Sequence, residues 1–125
     1  MLCRSEEKAK AAINSISDDA VGGGNGTLIF EECDLSSMES VRKCAERLLN
    51  TLDKIDILVN NAGILWDRGR KVTEDGFELT FATNHLGHFL LTDLLVPLLK
   101  RAVETGFTPR YESCQKFDFK FQVDS

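Results

Sequence analysis

Ile55-Asp56-Ile57-Leu58-Val59-Asn60-Asn61-Ala62-Gly63 is the stretch on which the fold of this chain turns. A short run of branched apolar residues bounded by turn-forming ones reads as a strand, of the kind covered on both faces in a parallel sheet. Asn60 and Asn61 follow at its carboxyl end, where their side chains can tie neighbouring strand ends together. Ala62 and Gly63 leave room for a flat ligand to approach the backbone. Ligands of open α/β sheets bind beyond the carboxyl ends of the strands, and two segments hold that position, Asn60 to Gly63 here and Asp34 after the preceding strand.

Upstream, Ser36-Ser37-Met38-Glu39 has the form of a capping box, and Val41, Ala45, Leu48 and Leu52 share one face of the helix that follows. Before it, Thr27 to Cys33 reads as a strand through Leu28-Ile29-Phe30, closed by Asp34-Leu35. Ser5, followed by Glu6 and Glu7, starts an earlier helix with Ala9, Ile13, Ile16 and Ala20 on one face. Gly22 to Gly26 ends it, with Asn25-Gly26 read as a turn rather than a glycosylated site. Downstream, Asp67 to Lys71 reads as a loop. Thr73-Glu74-Asp75 opens a long helix bearing Phe77, Phe81, Leu86, Phe89, Leu90 and Leu94, expected to run to about Arg101 with Pro97 kinking its last turns. The order helix, strand, helix, strand, helix predicts an α/β fold built on a parallel sheet with right-handed crossovers.

Composition narrows the function classes. Of 125 residues, 42% are hydrophobic and 28% charged, as in a soluble globular protein. A net charge of −5 and scattered basic residues argue against nucleic acid as a partner. No run reaches the roughly 20 apolar residues of a membrane span, and Met1 to Glu7 lacks a signal-peptide core, so a cytoplasmic location is expected. Cys3, Cys33, Cys44 and Cys114 form no CxxC pair or zinc-ligand spacing and are expected to be reduced thiols. His85 and His88 lie one turn apart without a third ligand, so no metal site is expected.

Asp34-Leu35-Ser36-Ser37, Ile57 to Gly63, Thr73 to Glu78, and Asn84-His85-Leu86-Gly87-His88-Phe89-Leu90-Leu91-Thr92 stand in an order and spacing that resemble the middle of the short-chain dehydrogenase/reductase family. Within it they most resemble the retinol dehydrogenase branch. The resemblance runs from about Leu2 to Arg101. It implies a partial Rossmann-like, doubly wound parallel sheet over residues 1–101, with 102–125 as a divergent tail, either a strand or disordered.

The resemblance also implies roles. Asp34 and Leu35 lie beside the adenine ring in such enzymes, with Asp34 accepting from its amino group. Asn61, Ala62 and Gly63 line the ribose and nicotinamide. Asn84 matches the catalytic helix asparagine, which holds a water in the proton relay. Arg4, after Cys3, matches the end of a strand where arginine favours the extra phosphate of NADP over NAD. The implied reaction moves hydride between the nicotinamide and a lipophilic alcohol or aldehyde, such as retinol or retinal.

Three parts of the family pattern have no counterpart. No glycine-rich pyrophosphate turn, catalytic Ser or Tyr-x-x-x-Lys pair is found: the sole tyrosine is Tyr111, with Gln115 four residues on. Phe117 to Val123 alternates apolar and polar residues, unlike a strand covered on both faces. The expectation is an incomplete piece of the enzyme, inactive on its own and without tight NADP binding. The strands at Thr27–Cys33 and Ile55–Val59, with two other strands between them in the family, would stand about 14 Å apart, leaving the fold marginal. The alternative is a non-catalytic interaction fragment, pairing with itself or a full-length family member through the apolar face of the Asn84 helix between Phe81 and Leu95.

Overall fold

A computed structural model describes residues 1–19, 26–65 and 69–113. Its elements, in order, are β1 (Leu2–Cys3), α1 (Glu6–Asp19), β2 (Glu31–Glu32), α2 (Met38–Thr51), β3 (Ile57–Asn60), α3 (Leu79–Phe81), a π-helical turn (Ala82–Leu86), α4 (Gly87–Glu104) and β4 (Arg110–Ser113). The strands form two separate two-stranded parallel sheets, β1 with β2 and β3 with β4. The α/β class with parallel strands is as expected.

Helices α2 and α4 pack on each other and join the two sheets. Val41, Cys44 and Ala45 of α2 meet Leu91, Leu95 and Leu98 of α4, together with Cys33 after β2 and Leu58 of β3. Leu95, Leu98 and Val41 are completely buried, each worth about 1.5–3 kcal/mol of apolar transfer. Cys33 and Cys44 are free thiols in hydrogen-bond contact inside this core. The contact with Cys44, then burial, pushes the Cys33 thiol far above its ordinary range.

Several boundaries differ from those the sequence suggests. The strand expected over Thr27–Cys33 shortens to Glu31–Glu32, because only Met1–Cys3 lies alongside; Leu28 and Ile29 stand exposed. The strand β3 is covered on one face only. Leu58 and Asn60 lie inward, whereas Ile57 and Val59 are 54% and 51% exposed. On the first helix Ala9 is buried, but Ile16 is 46% exposed, and Ala20 lies outside the described residues. Leu52 ends α2 instead of joining its buried face.

The long helix does not begin at Thr73. Gly76 has φ +84°, which a right-handed helix excludes, and Thr73 N–H bonds to Phe77 carbonyl across a tight turn. Helix starts at Leu79, where Glu78 accepts the N–H groups of Thr80 and Phe81. It continues through Pro97 to Glu104. Asp75 is a capping residue all the same, but for another helix: its Oδ2 accepts Met38 N–H at the start of α2, 2.9 Å away. The capping box is also altered. Ser37 is the cap, and Ser40 rather than Glu39 reaches back, its hydroxyl accepting Asp34 N–H at 2.9 Å, while Glu39 pairs with Lys43.

Within the tail 102–125, expected to be either a strand or disordered, Arg110–Ser113 forms a strand parallel to β3 in register, Ile57 opposite Arg110 and Asn60 opposite Ser113. Tyr111 packs against the core from this strand. The alternating segment Phe117–Val123 lies outside the described residues.

Candidate active site

The carboxyl end of β3 is held by a polar stripe on an otherwise apolar helix. Asn84, His88 and Thr92 recur every four residues, so they project from one side of the α3–α4 rod. Each makes a specific bond to the segment after Val59. Asn84 Oδ1 accepts Ile64 N–H and its Nδ2 donates to Ile64 carbonyl, both at 2.8 Å. His88 places Nε2 2.7 Å from Ala62 carbonyl and Nδ1 3.1 Å from Asn60 Oδ1. Thr92 Oγ1 receives Asn60 Nδ2 at 2.9 Å. The segment from Asn60 to Ile64 is therefore clamped from one helix at the Asn60 side chain and at the Ala62 and Ile64 backbone, while Asn61, Ala62 and Gly63 themselves are exposed.

Asn84 sits in the middle of the π-helical turn Ala82–Leu86. Such turns are rare and recur at functional sites because the wider spiral frees backbone groups. In the same turn, Thr83 Oγ1 is buried with no hydrogen-bond partner among the described residues. His85 stacks on Phe81 with ring centroids 5.2 Å apart. Among the described residues no group of three His, Cys, Asp or Glu could hold a metal.

Gly87 brings the second strand end to the same helix. A Cβ built there would lie 2.3 Å from Leu35 carbonyl oxygen, so only glycine allows this approach. Leu35 is thereby seated against α4, one turn beyond Asn84. Asp34 precedes it with Oδ1 turned inward, accepting from Ser36 N–H at 2.9 Å and from Ser36 hydroxyl at 2.7 Å. Arg4 stands exposed immediately after β1, whose partner β2 leads into Asp34.

The helix thus joins three of the expected site positions, Leu35, Ala62 and Asn84, with Asn61 and Gly63 within the clamped loop. Arg4 and Asp34 belong to the neighbouring sheet end. His88, Asn60, Thr92 and Gly87 were not among the expected site residues, His88 having been considered only as a metal ligand and set aside. The Asn84–His88–Thr92 spacing was the available signal, since three polar residues on one stripe of an apolar helix need partners.

Burial, then the charge of His85, drives His88 below the ordinary histidine pKa, opposed by its bond to Ala62 carbonyl. The arrangement can fix a loop and present its outer face to a ligand. A glycine-rich phosphate cradle and a tyrosine–lysine pair are not part of it.

The short chain dehydrogenase family model matches residues 1–106. Mouse retinol dehydrogenase 14 is 44% identical over 107 residues, covering 80% of this chain and 32% of that protein. Among solved structures, the Pseudomonas aeruginosa RhlG/NADP active-site complex superposes with a TM-score of 0.63 at 29% identity, over 81% of this chain and 38% of the other. The Brucella melitensis 3-ketoacyl-(acyl-carrier-protein) reductase complexed with NADH gives 0.64 at 26% identity, over 90% and 43%. The chain thus spans about a third of the length of the retinol dehydrogenase it matches.

Proposed function

Since the chain belongs to the short-chain dehydrogenase family, in its retinol dehydrogenase-like branch, we propose that it carries the adenine- and nicotinamide-facing segments of an NADP-dependent oxidoreductase. The single observation that carries this reading is the clamp of Asn84 and His88 on the Asn60–Ile64 segment. It holds the backbone of Asn61, Ala62 and Gly63 where open α/β sheets bind nucleotides.

The residues present fit part of such a cofactor. Asn61, Ala62 and Gly63 would face the ribose and nicotinamide, Leu35 and Asp34 the adenine, and Arg4 the additional phosphate. Arg4 is the reason for preferring NADP; related structures hold NADP in one case and NADH in another. The bound cofactor would supply hydride chemistry for an alcohol and carbonyl pair such as retinol and retinal. Asn84 acts in this scheme through its backbone, because its side chain is engaged by Ile64. The unpartnered Thr83 hydroxyl in the same wide turn is the kind of group an ordered water satisfies, which supports placing the relay water there.

Pyrophosphate grip and proton donor have no residues in this sequence, so turnover by these 125 residues alone is expected to be negligible. Among the described residues, the thiols Cys3, Cys33 and Cys44 are free, which suits a reducing cytoplasmic setting. No helix among the described residues is long and apolar enough to cross a membrane.

Titrating the purified chain with NADP and following backbone amide resonances tests the reading. Weak, fast-exchanging shifts should cluster at Arg4, Asp34, Leu35 and Asn61 to Gly63, with no cofactor oxidation on adding retinal. Tight binding, or turnover abolished by Asn84→Ala, would contradict inactivity; shifts confined to other residues would contradict the site.

A second reading is association through the Asn84 helix. Leu91 and Leu95 are occupied by α2, but Phe81 and Phe89 are 52% and 57% exposed on it. Co-purification with a full-length family member, lost in Phe81→Ser with Phe89→Ser, would favour it.

A further inference from the structure

His88 is 8% exposed, and both of its ring nitrogens face oxygen atoms. The surrounding circuit is closed. Asn60 donates from Nδ2 to Thr92 Oγ1, and the Thr92 hydroxyl donates to the carbonyl of His88 itself at 2.8 Å. Drawn this way, every bond is satisfied only if the ring carries two hydrogens, because Asn60 Oδ1 and Ala62 carbonyl are both acceptors. Burial disfavours that cation.

A neutral ring has one hydrogen to place. Ala62 carbonyl can only accept and lies at the shorter distance, 2.7 Å, so the hydrogen belongs on Nε2. Nδ1 then needs a donor, and the group opposite it is the Asn60 amide. Turning that amide over offers Nδ2 to Nδ1 and swings Oδ1 towards Thr92, whose hydroxyl rotates to donate to it. Amide oxygen and nitrogen are assigned by such networks rather than by shape. The neutral circuit is again complete, at the cost of the Thr92 bond to its own helix.

We infer that His88 is the positioning residue of the Asn61–Gly63 loop, and that a single proton on its ring resets the Asn60 amide and the Thr92 hydroxyl between two complete hydrogen-bond circuits. In both settings Nε2 donates to Ala62 carbonyl. That bond dictates what the loop shows to its surroundings. In a trans peptide the carbonyl and the following N–H point in opposite directions, so drawing Ala62 carbonyl onto the ring turns Gly63 N–H away from it. The ligand-facing donor of the loop is then Gly63 N–H, suited to an oxygen of the bound sugar or carboxamide. This last step rests on the proposed cofactor reading; the lock and its proton dependence do not.

Other charged groups around the ring are few. His85 lies on the preceding turn and opposes protonation. Asp34, beyond β2, has Oδ1 turned onto Ser36, Asp93 on α4 is exposed, and the Asn60–Ile64 segment has no titratable side chain.

Long-range proton–nitrogen correlation spectra of the histidine rings, recorded on the 125-residue chain without cofactor across pH 4–8, test this. His88 should be neutral with hydrogen on Nε2 at neutral pH, and its titration should share a midpoint with the Asn60 side-chain amide. His88→Gln, which can still donate to Ala62 carbonyl, should keep Ile64 amide exchange near wild type while abolishing the midpoint. His88→Leu should speed that exchange at least tenfold. Hydrogen on Nδ1 at neutral pH, an Asn60 amide that ignores the titration, or unchanged exchange in His88→Leu would overturn the inference. If both variants unfold, the wild-type ring spectra still decide it. Loss of the cofactor reading would appear separately, as no response of Gly63 to added NADP with the ring behaviour intact.

Discussion

Asn84 holds Ile64 by both of its backbone groups, accepting the N–H and donating to the carbonyl at 2.8 Å each, across twenty residues of chain. A side-chain amide has one acceptor and one donor side, and a single residue's N–H and carbonyl match both. Oxygen and nitrogen of Asn84 are thereby fixed without ambiguity.

Replacing Asn84 by Ala leaves two backbone groups at a partly buried site without partners. The expected cost is about 2–3 kcal/mol, read as a shift in the urea midpoint. Asn84→Asp should cost as much or more, since its carboxylate can accept from Ile64 N–H but repels Ile64 carbonyl. Amide exchange at Ile64 should accelerate in both variants well before global unfolding. An Asn84→Ala chain as stable as the parent would show that the clamp contributes nothing.

Gly87→Ala tests the contact between the Leu35 turn and α4. The added Cβ would meet Leu35 carbonyl oxygen at 2.3 Å, and Leu35 carbonyl carbon and Cα at 3.0 Å. All are backbone atoms, so the turn must move. A loss of about 1–3 kcal/mol is expected, with amide shifts concentrated at Asp34 and Leu35. Gly26→Ala is the matched control, because nothing among the described residues lies within 4 Å of its Cβ position. It should be neutral to slightly stabilising. Equal melting temperatures for the two variants would refute the close approach.

Much of this arrangement was legible in the sequence for physical reasons. The apolar run of β3 ending in Asn60-Asn61-Ala62-Gly63 pointed to the segment that the α3–α4 helix clamps, because strand ends in parallel sheets are where ligands go. Val41 and Ala45 were found because a 3.6-residue period reports a buried face. The start of the long helix was misplaced because Thr73-Glu74-Asp75 carries true capping chemistry; its target, Met38 N–H, lies on a different helix and periodicity says nothing about that. Ile57 and Val59 were expected inside because their composition belongs to a strand covered on both faces, whereas their actual exposure depends on which elements are alongside. The place of β4 was invisible for the converse reason. Arg110-Tyr111-Glu112-Ser113 has little strand character of its own and takes its form from pairing with β3.

Glu78 carries an acid dependence with a defined sign. Its carboxylate accepts the N–H groups of Thr80 and then Phe81, which holds its pKa below the ordinary glutamate value. The unfolded chain therefore binds more protons than the folded one in that window, so stability rises with pH across it. The contribution is complete above the ordinary glutamate range and disappears as pH falls through the lowered value. His88 adds the same sign at higher pH, since its folded pKa is also lowered. Glu78→Gln should flatten the lower limb of the stability profile and leave the upper one. Chemical denaturation at a series of pH values separates the two; an unchanged lower limb would assign it to other carboxylates.

Leu95→Ala tests how close the whole fold lies to its stability limit. Leu95 is completely buried between α2 and α4, and removing such a side chain typically costs about 2–5 kcal/mol. Ordinary domains have about 5–15 kcal/mol in total. Among the described residues there is a single helix-to-helix core with two small sheets, and β3 leaves Ile57 and Val59 exposed. The parent should therefore melt broadly and at low temperature, and Leu95→Ala should show no cooperative transition at 25 °C. The same substitution at Ile57, already 54% exposed, should change stability by under about 1 kcal/mol and reduce association at high concentration. A sharp, high-temperature transition surviving in Leu95→Ala would mean that stability resides outside the α2–α4 contact.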